Sequence, residues 1–397
     1  MKTQKFVAIA ALALTGLVAV APVQAADQQD PIRIGVIASW SGPYADYGRQ
    51  FDAGMALYLN EHGGRLGGRE VQLIRKDTAG AAPDMAKRYA QELIVNDKVN
   101  FLTGLDFSPN AYAVAPVVTK GKIPTIIMNA ASSGIPASSP YMARVAFTVQ
   151  QVSAPMALWM LKNGVKNAYT VVANYGPGLD AEVAFKDAFT KGGGQIMDQV
   201  RIPMSNPDFS AYVQRIKDAR PDAAFIFFPS GVMPPAFMKA WQERGLDKAG
   251  ITLYATGEAT DDSYLEATGD VALGLVTSHH YSYAHPSAKN KKFVQDFETE
   301  FGTSMRPSYF SVAAYDALAA LDAAMQKTSG DMTADAIMAA LKGLELDSPR
   351  GPIRIAADTR DIVQTVYIRR VEKVAGKLVN VEFDQFDQVQ DPALSTK

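Results

Sequence analysis

Two acidic residues stand where a parallel sheet would place ligand-binding groups. Asp106 follows the apolar run NFLTGL (100–105), and Glu258 follows the run ITLYATG (251–257). Because both runs are typical of buried strands, each carboxylate is predicted at the carboxyl end of a strand. A carboxylate in a desolvated cleft needs a cation or several hydrogen-bond donors, and a ligand ammonium group would supply the charge. The alternative interpretation is a solvated loop carboxylate or a helix N-cap.

A segment of small residues, NAASSG (129–134), follows the predicted strand IPTIIM (123–128). Its small side chains would let main-chain N–H groups and the hydroxyls of Ser132 and Ser133 approach a ligand carboxylate closely. An ordinary turn is the alternative. The segment is therefore a candidate for holding the acidic end of a ligand.

Three large aromatic residues lie in the loop that follows the first predicted strand, IRIGVIA (32–38). Trp40, Tyr44 and Tyr47 stand there among glycines and a proline, whereas loops usually carry small polar residues. The loop either folds back onto the core or lines a binding cleft, and its place at a strand carboxyl end favours the cleft. Core packing of at least one of the three rings is also expected.

The motifs of common catalytic and nucleotide-binding sites are missing from the sequence. YGPGLD (175–180) contains Gly176 and Gly178 but lacks the third glycine of a dinucleotide fingerprint. Neither a Gly-Lys-Ser/Thr phosphate loop nor a Gly-x-Ser-x-Gly nucleophile elbow occurs. The sequence therefore favours a binding protein over an enzyme, and it indicates no cofactor.

Three of the four histidines, His279, His280 and His285, fall within seven residues. Imidazole is a common zinc ligand, so a metal site is one interpretation. Adjacent residues on a strand point to opposite faces, however, so His279 and His280 would not easily share one metal ion. The favoured interpretation is a polar strand end with one histidine reaching the cleft, and no metal site is predicted.

Short apolar runs alternate with amphipathic stretches, which is typical of βαβ units with parallel strands. The pattern begins at residues 32–38 and starts again at NAYTVVA (167–173). Each half has a strand, a loop with aromatic residues and glycines, a helix, a glycine-rich stop and another strand. After residue 281 come two predicted helices and then a β-rich tail. The predicted fold class is α/β, with two Rossmann-like doubly wound lobes whose strand carboxyl ends share a cleft.

The N-terminus has the features of a secretory signal, and residues 1–25 are predicted to be cleaved. A basic start precedes an apolar run too short for a comfortable membrane span, and VQA ends at Ala25 with small residues. A retained anchor is the alternative. The sequence contains no cysteine, which excludes disulfides, thiolate chemistry and a lipid-modified cysteine. The formal net charge of −2 gives no sign of a nucleic-acid partner.

The chain from about residue 31 to its C-terminus resembles a known family. Six segments carry the resemblance: IRIGVIASWSGPYADYGRQFDAG, GGRLGGREVQLIRKD, GKIPTIIMNAAS, NYGPGLDAEVAFKDAF, PDFSAYVQRIKDARPDAAFI and SYFSVAAYDALAAL. On these segments the chain is similar to periplasmic solute-binding proteins of the leucine/isoleucine/valine-binding type, which serve ABC importers of the branched-chain amino-acid class. The resemblance implies a type I periplasmic binding protein fold, in which two lobes joined by a three-crossing hinge close around a ligand.

The resemblance also implies the ligand contacts. They are Tyr47, Leu105, Asp106, Phe107, Ala130, Ala131 and Ser132 in the first lobe, Tyr175, Gly231 and Glu258 in the second lobe, and an apolar wall at Tyr309 and Phe310. In amino-acid binders of this family, first-lobe hydroxyls and amides hold the ligand carboxylate, and an acid at the position of Glu258 holds the ammonium group. The expected lobes are residues 31–147 plus 282–349, and residues 148–281 plus 350–397.

Three features depart from the amino-acid-binding pattern of the family. Phe107 stands where a hydroxyl is expected, the small loop reads MNAASS, and Gly231 replaces a tyrosine, which would enlarge the pocket. These changes suit a ligand larger or flatter than leucine, such as the benzoate derivatives that some family members bind. Glu258 favours an amine instead, because an aromatic acid gives this carboxylate no counter-charge.

The sequence thus predicts a periplasmic protein that captures a small carboxylate and delivers it to the permease of an ABC importer in the inner membrane. A branched-chain or other apolar amino acid is placed ahead of an aromatic carboxylate as the ligand. A sensory ligand-binding protein is a further alternative. The protein is expected to be a monomer without a lipid anchor and to perform no catalysis.

Overall fold

The computed structural model describes Met1, residues 30–205 and residues 207–394. Apart from Met1, the predicted secretory signal at residues 1–25 lies outside the described residues. Within the described part of the chain, no helix is long and apolar enough to cross a membrane.

Among the described residues, six strands form the first sheet, in the spatial order β2-β3-β1-β4-β5-β6. They are β1 (Ile32–Ala38), β2 (Arg65–Leu66), β3 (Arg69–Asp77), β4 (Phe101–Gly104), β5 (Thr125–Ile127) and β6 (Met142–Arg144). Neighbouring strands are parallel, except that β2 and β3 form an antiparallel hairpin. Parallel strands covered on both faces are expected to be continuously apolar, and β1 is buried at six of its seven positions.

In the second sheet, nine strands of the described chain are paired. They are β7 (Asn167–Ala173), β8 (Gln195–Ile202), β9 (Ala223–Phe227), β10 (Thr252–Thr256), β11 (Val276–His279), β12 (Glu345–Ser348), β13 (Gly351–Ile355), β14 (Ile362–Val374) and β15 (Lys377–Val389). Their order is β12-β13-β14-β11-β10-β9-β7-β8, with β15 also paired to β14. Strands β7 to β11 are parallel, whereas β12 to β15 pair antiparallel and β14 joins them to β11. The predicted β-rich tail is thus an antiparallel extension of this sheet.

Helices connect the strands and cover the sheets. They are α1 (Ala45–Glu61), α2 (Pro83–Val95), α3 (Ser108–Gly121), α4 (Val149–Lys162), α5 (Gly176–Lys191), α6 (Phe209–Ala219), α7 (Met233–Glu243), α8 (Leu265–Thr268), α9 (Ala288–Phe301), α10 (Tyr309–Lys327) and α11 (Ala334–Leu341). Helix α10 packs against α1, and a Cβ atom on Gly54 would lie 2.0 Å from the main-chain oxygen of Ser311. A glycine is required at this contact. Helix α11 was not predicted; its eight residues are too few for a clear periodic pattern.

The chain passes between the two sheets after β6, after β11 and after α11. Helix α4 packs against β10 and β11, whereas α9 and α10 pack against α1 of the first sheet. Strand β12 lies in the second sheet, although the expected range 282–349 places it with the first lobe. It pairs with β13 across a two-residue turn, Ser348 opposite Gly351, so local hairpin pairing determines its position.

Buried arginines form ion pairs and hydrogen bonds where the chain crosses between the sheets. Arg144, at the end of β6, makes two hydrogen bonds of 2.8 Å to the carboxylate of Asp361. Arg350, in the turn after β12, lies 2.8 Å from the carboxylate of Asp316 on α10 and donates to the main-chain oxygen of Ala146 at 3.2 Å. Pairing with an opposite charge offsets the desolvation of each buried ion. Each pair therefore needs both partners, because loss of one would leave the other charge buried without a counter-charge.

Candidate functional site

A cavity with an empty volume of about 340 Å³ lies at the carboxyl ends of strands from both sheets. Its lining consists of Tyr47, Asp106, Phe107, Ser108, Asn129, Ala131, Phe147, Tyr175, Pro177, Phe227, Pro229, Ser230, Glu258 and Tyr309. Apart from the two tyrosines on α1 and α10, these residues follow or end β4, β5, β6, β7, β9 and β10. This edge is where open α/β sheets bind ligands.

The structure brings seven of the twelve predicted contact residues together in this lining: Tyr47, Asp106, Phe107, Ala131, Tyr175, Glu258 and Tyr309. The other five are Leu105, Ala130, Ser132, Gly231 and Phe310, and none of them is part of it. Leu105 and Ala130 are core residues of the first sheet, and Phe310 stacks behind Tyr47 at 4.0 Å between ring centroids. A role of these five in direct ligand contact stays a prediction.

The three aromatic residues of the first loop take different positions. Tyr47 lines the cavity. The ring of Tyr44 packs edge-on against Phe107, with 4.8 Å between centroids. Trp40 instead donates from Nε1 to the carboxylate of Asp52 at 2.9 Å. Of the three predicted cleft residues, Tyr47, on helix α1, is part of the cavity lining, whereas Trp40 and Tyr44 are not.

Asp106 supplies one carboxyl group to the cavity. The turn before it is tight, because Leu105 adopts a left-handed φ of 57°, which is unusual for a residue with a side chain. Oδ2 of Asp106 accepts a hydrogen bond from the hydroxyl of Ser39 at 2.5 Å, whereas Oδ1 has no partner among the described residues. Burial raises the pKa of Asp106 to about 7, although the bond from Ser39 acts in the opposite direction. At neutral pH this group can hold a proton and donate it.

Two neutral polar residues lie beside Asp106. The hydroxyl oxygen of Ser108 accepts the main-chain N–H of Ser132 at 3.0 Å, so its proton can be donated to a ligand. The amide of Asn129 donates to the main-chain oxygen of Asp106 at 2.7 Å, and its Oδ1 is unpartnered in the described structure. This side of the cavity therefore offers both donors and acceptors.

Glu258 supplies the second carboxyl group, from a 3-10 turn (Gly257–Thr260) that follows β10. The side chain is buried, and its Oε2 has no hydrogen-bond partner within the described chain. Burial raises the pKa of Glu258 to about 7, and the nearby positive charge of Arg369 lowers it in part. Sequence reasoning placed both carboxyl groups correctly at strand ends. The helix N-cap alternative does not apply to either residue, since Phe107 is the N-cap of α3 and Thr256 is the N-cap of the 3-10 turn that contains Glu258.

A chain of hydrogen bonds crosses the cleft beside Glu258. The hydroxyl of Tyr47 donates to the main-chain oxygen of Ser230 at 2.8 Å. The hydroxyl of Ser230 donates to the main-chain oxygen of Glu258 at 3.2 Å and lies 2.8 Å from the hydroxyl of Tyr309. Helices α1 and α10 are thereby joined to the loop after β9.

Aromatic rings form the walls of the cavity. Tyr47 and Phe107 stack with 5.8 Å between centroids, and Tyr175 and Phe227 stack with 6.2 Å. Phe147 packs edge-on against another lining ring. Sequence reasoning missed Phe147 and Phe227. Phe227 ends the run AAFIFFP, so the strand-end rule could have found it, whereas Phe147 lies in a connection without a recognisable motif.

The histidines do not form one cluster. Nε2 of His279 is 3.8 Å from Oε2 of Glu258, whereas Nδ1 of His285 is 2.7 Å from Glu382. The rings of His279 and His280 are only 4.3 Å apart, because β11 ends at His279 and strand alternation does not extend to the next residue. The sequence argument that separated these two rings was wrong. No group of three or more potential metal ligands occurs in the residues that the structure describes.

Comparisons with known proteins agree with this geometry. A family model described as periplasmic binding protein matches residues 31–377. Leu/Ile/Val-binding protein homolog 6 of Brucella melitensis is 41% identical over 387 residues, which are 97% of this chain and 99% of that protein. A solute-binding protein of an ABC transporter from Rhodopseudomonas palustris BisB5, solved with 3,4-dihydroxy benzoic acid, is 47% identical with a TM-score of 0.88, covering 92% of this chain and 100% of that one. A second from R. palustris, solved with 4-hydroxybenzoate, is 39% identical with a TM-score of 0.90, covering 93% and 100%.

Proposed function

Since this chain belongs to the periplasmic binding protein family and is a solute-binding protein of an ABC transporter, we propose that its ligand is a hydroxylated aromatic carboxylate of the benzoate class. The observation that carries this proposal is the aromatic wall. Two stacked pairs line the same cavity, Tyr47–Phe107 beside the first sheet and Tyr175–Phe227 beside the second. A flat ring packs favourably against aromatic side chains. The ligands of the two R. palustris relatives support this choice.

The polar groups of the cavity suit a carboxylate that also carries a hydroxyl group. The hydroxyl proton of Ser108 can be donated to the ligand carboxylate, and a protonated Asp106 can donate as well. Glu258 has spare acceptor capacity for a ligand hydroxyl. A hydroxyl donor serves Glu258 in either protonation state, whereas an ammonium group requires the ionised form of a group whose pKa is raised to about 7.

An apolar amino acid is the second candidate ligand, and the sequence placed it first. Its support is the buried carboxyl group of Glu258, which could hold an ammonium group, and the name of the Brucella relative. The aromatic wall favours the benzoate class, because a branched aliphatic side chain gains no ring stacking from Tyr175 or Phe227.

In the proposed cycle, two lobes, one built around each sheet, close around the ligand. The chain of hydrogen bonds from Tyr47 through Ser230 to Tyr309 supports closure, because it joins helices of the first lobe to the second. A ligand that contacts both sides favours the closed form, since only that form makes all the contacts. The protein acts in the periplasm as a monomer and delivers the ligand to the permease.

A thermal-shift screen on protein that has been unfolded and refolded to remove bound ligand tests the proposal. The panel contains 4-hydroxybenzoate, 3,4-dihydroxybenzoate, benzoate, leucine, isoleucine and valine. At one hundred times its Kd a ligand adds about 2.7 kcal/mol, which raises Tm by several degrees. We expect shifts with the aromatic acids. A shift with leucine, isoleucine or valine and none with the aromatic acids would overturn the proposal in favour of the second candidate.

A further inference from the structure

Two buried histidines lie behind the cavity wall, and the fold gives their polar atoms no partner. His279 and His280 are both 0% exposed, and all four ring nitrogens lack a hydrogen-bond partner in the described part of the chain. Buried polar atoms are almost always paired, so unpaired ones call for a functional or solvent partner. The ring of His279 packs edge-on against Tyr309, which lines the cavity, with 4.5 Å between centroids.

Of the two, His279 faces the carboxyl group of the cavity. Its Nε2 is 3.8 Å from Oε2 of Glu258, an oxygen that is itself unpartnered. This distance is too long for a hydrogen bond, but a small rotation of the carboxyl group would close it. The ring of His280 stacks on Phe147 with 4.9 Å between centroids, whereas the ring of His279 packs edge-on against Phe147 at 5.1 Å.

The main chain before Glu258 is held in place by close packing, so the movement is confined to the side chain. A Cβ atom on Gly257 would lie 2.3 Å from both Cβ of His279 and Nη2 of Arg369, so only glycine fits there. Arg369 also donates from Nη2 to the main-chain oxygen of Gly257 at 3.2 Å.

We propose that His279 is a positioning residue that holds Glu258 as the acceptor for a ligand hydroxyl group, so that the protein selects hydroxylated benzoates over benzoate itself. This inference rests on the proposed function and specifies the ligand class further. His279, protonated on Nε2, donates to Oε2 of Glu258, and the other carboxyl oxygen accepts the ligand O–H. Burial and the charges of Arg369 and Arg350 hold the pKa of His279 well below its usual range, so the ring is a neutral single donor.

Benzoate lacks the hydroxyl group, so in its complex the carboxyl oxygen of Glu258 that His279 positions has no hydrogen-bond donor. A binding site built to hydrogen-bond a ligand hydroxyl discriminates strongly against the analogue without it, because the buried polar group is left unpaired. The selectivity therefore depends on how well His279 orients the carboxyl group.

Isothermal titration calorimetry with benzoate and 4-hydroxybenzoate on ligand-free protein tests this inference. We expect the wild type to bind 4-hydroxybenzoate at least about 10-fold more tightly than benzoate. His279→Leu should bring the ratio of the two Kd values close to one, mainly by weakening 4-hydroxybenzoate. His279→Asn, which keeps a side-chain N–H donor, should recover part of the ratio. His280→Leu is the matched control, equally buried and adjacent, and should keep the wild-type ratio.

The ratio is measured within each variant, so a general loss of stability does not imitate the effect. If His279→Leu fails to fold, the wild type labelled with ¹⁵N at histidine provides a second measurement. Adding 4-hydroxybenzoate, but not benzoate, should shift the Nε2 resonance of one buried histidine. An unchanged ratio in His279→Leu, or no selective shift, overturns the inference while the proposed function stands. A wild type that binds neither aromatic acid overturns the proposed function itself.

Discussion

Buried charges in two regions of this molecule are arranged in opposite ways. Where the chain crosses between the sheets, Arg144 and Asp361 share two hydrogen bonds of 2.8 Å, and Arg144 also donates to main-chain oxygens. In the cavity, Asp106 and Glu258 are buried to a similar degree, yet each leaves one carboxyl oxygen without a partner in the described structure.

We propose that the unpaired oxygens of Asp106 and Glu258 are available for a ligand, because both residues line the cavity. A charge that is paired in the folded protein loses little by burial, whereas an unpaired carboxyl group must give up its charge or lower the stability. Each unpaired cavity carboxyl group therefore carries a desolvation cost in the ligand-free protein, which we propose that a ligand relieves. This arrangement is the usual trade-off between stability and function at binding sites.

The largest effect is expected where the paired charge is broken. Arg144→Met leaves the carboxylate of Asp361 buried without a counter-charge, and removes the donors to the main-chain oxygens of Ala130 and Ser132. We expect the free energy of unfolding to fall by about 3–5 kcal/mol. Urea unfolding followed by circular dichroism measures it.

The control for this variant is an exposed ion pair. Arg215 and Asp198 lie 3.3 Å apart with more than half of each side chain exposed. Arg215→Met should change the free energy of unfolding by at most about 1 kcal/mol. If both arginine variants lose the same stability, the pairing of buried charge is not what stabilises the crossings.

The next largest effect is expected for a cavity substitution that weakens ligand binding without lowering stability. Glu258→Leu removes a desolvated carboxyl group, so the free energy of unfolding should stay the same or increase. The ligand hydroxyl then has no acceptor, and we expect 4-hydroxybenzoate to bind about 10- to 100-fold more weakly. Asp361→Leu is the matched comparison, because it should destabilise the fold strongly. If Glu258→Leu and Asp361→Leu lower the free energy of unfolding equally, the proposed difference between paired and unpaired buried carboxyl groups is contradicted.

The third prediction concerns pH and the cavity carboxyl groups in the ligand-free protein. Burial raises the pKa of Asp106 from 3.8 and that of Glu258 from 4.5, each to about 7. At a pH between the ordinary pKa of each group and its raised pKa of about 7, the folded protein holds a proton that the unfolded chain has released. The free energy of unfolding therefore falls as pH rises. The slope is about 1.4 kcal/mol per pH unit for each group. Stability measured at pH 5, 6 and 7 should therefore decline less steeply for Glu258→Leu than for the wild type, and parallel curves would contradict the assignment.

Of the two regions, the sequence predicted the carboxyl groups of the cavity but not the ion pairs at the crossings. The carboxyl end of a parallel strand is a general place for ligand groups, so apolar runs followed by an acid located Asp106 and Glu258. Pairs of residues that lie far apart in the sequence could not be predicted in the same way. Asp361 is 217 residues from Arg144, and no local pattern links them.

The sequence also did not predict the backbone conformation at the ends of individual strands. The left-handed conformation of Leu105 turns it into the core instead of the cavity. The end of β11 at His279 brings two adjacent rings together that regular alternation would have separated. Both outcomes depend on where a strand stops, and single-sequence patterns give such boundaries only to within a few residues.

The smallest effect is expected from the bridge across the cleft. Tyr47→Phe removes the hydrogen bond of 2.8 Å to the main-chain oxygen of Ser230, which joins α1 to the loop after β9. Because a neutral hydrogen bond contributes about 0.5–1.5 kcal/mol, we expect 4-hydroxybenzoate to bind roughly 2- to 10-fold more weakly, through faster dissociation. Tyr58→Phe is the control, since the hydroxyl of Tyr58, also on α1, bonds to Asp322 away from the cavity. That variant should lose stability but keep its affinity. Stopped-flow dissociation rates that are equal in the two variants would show that this bridge does not hold the ligand-bound form closed.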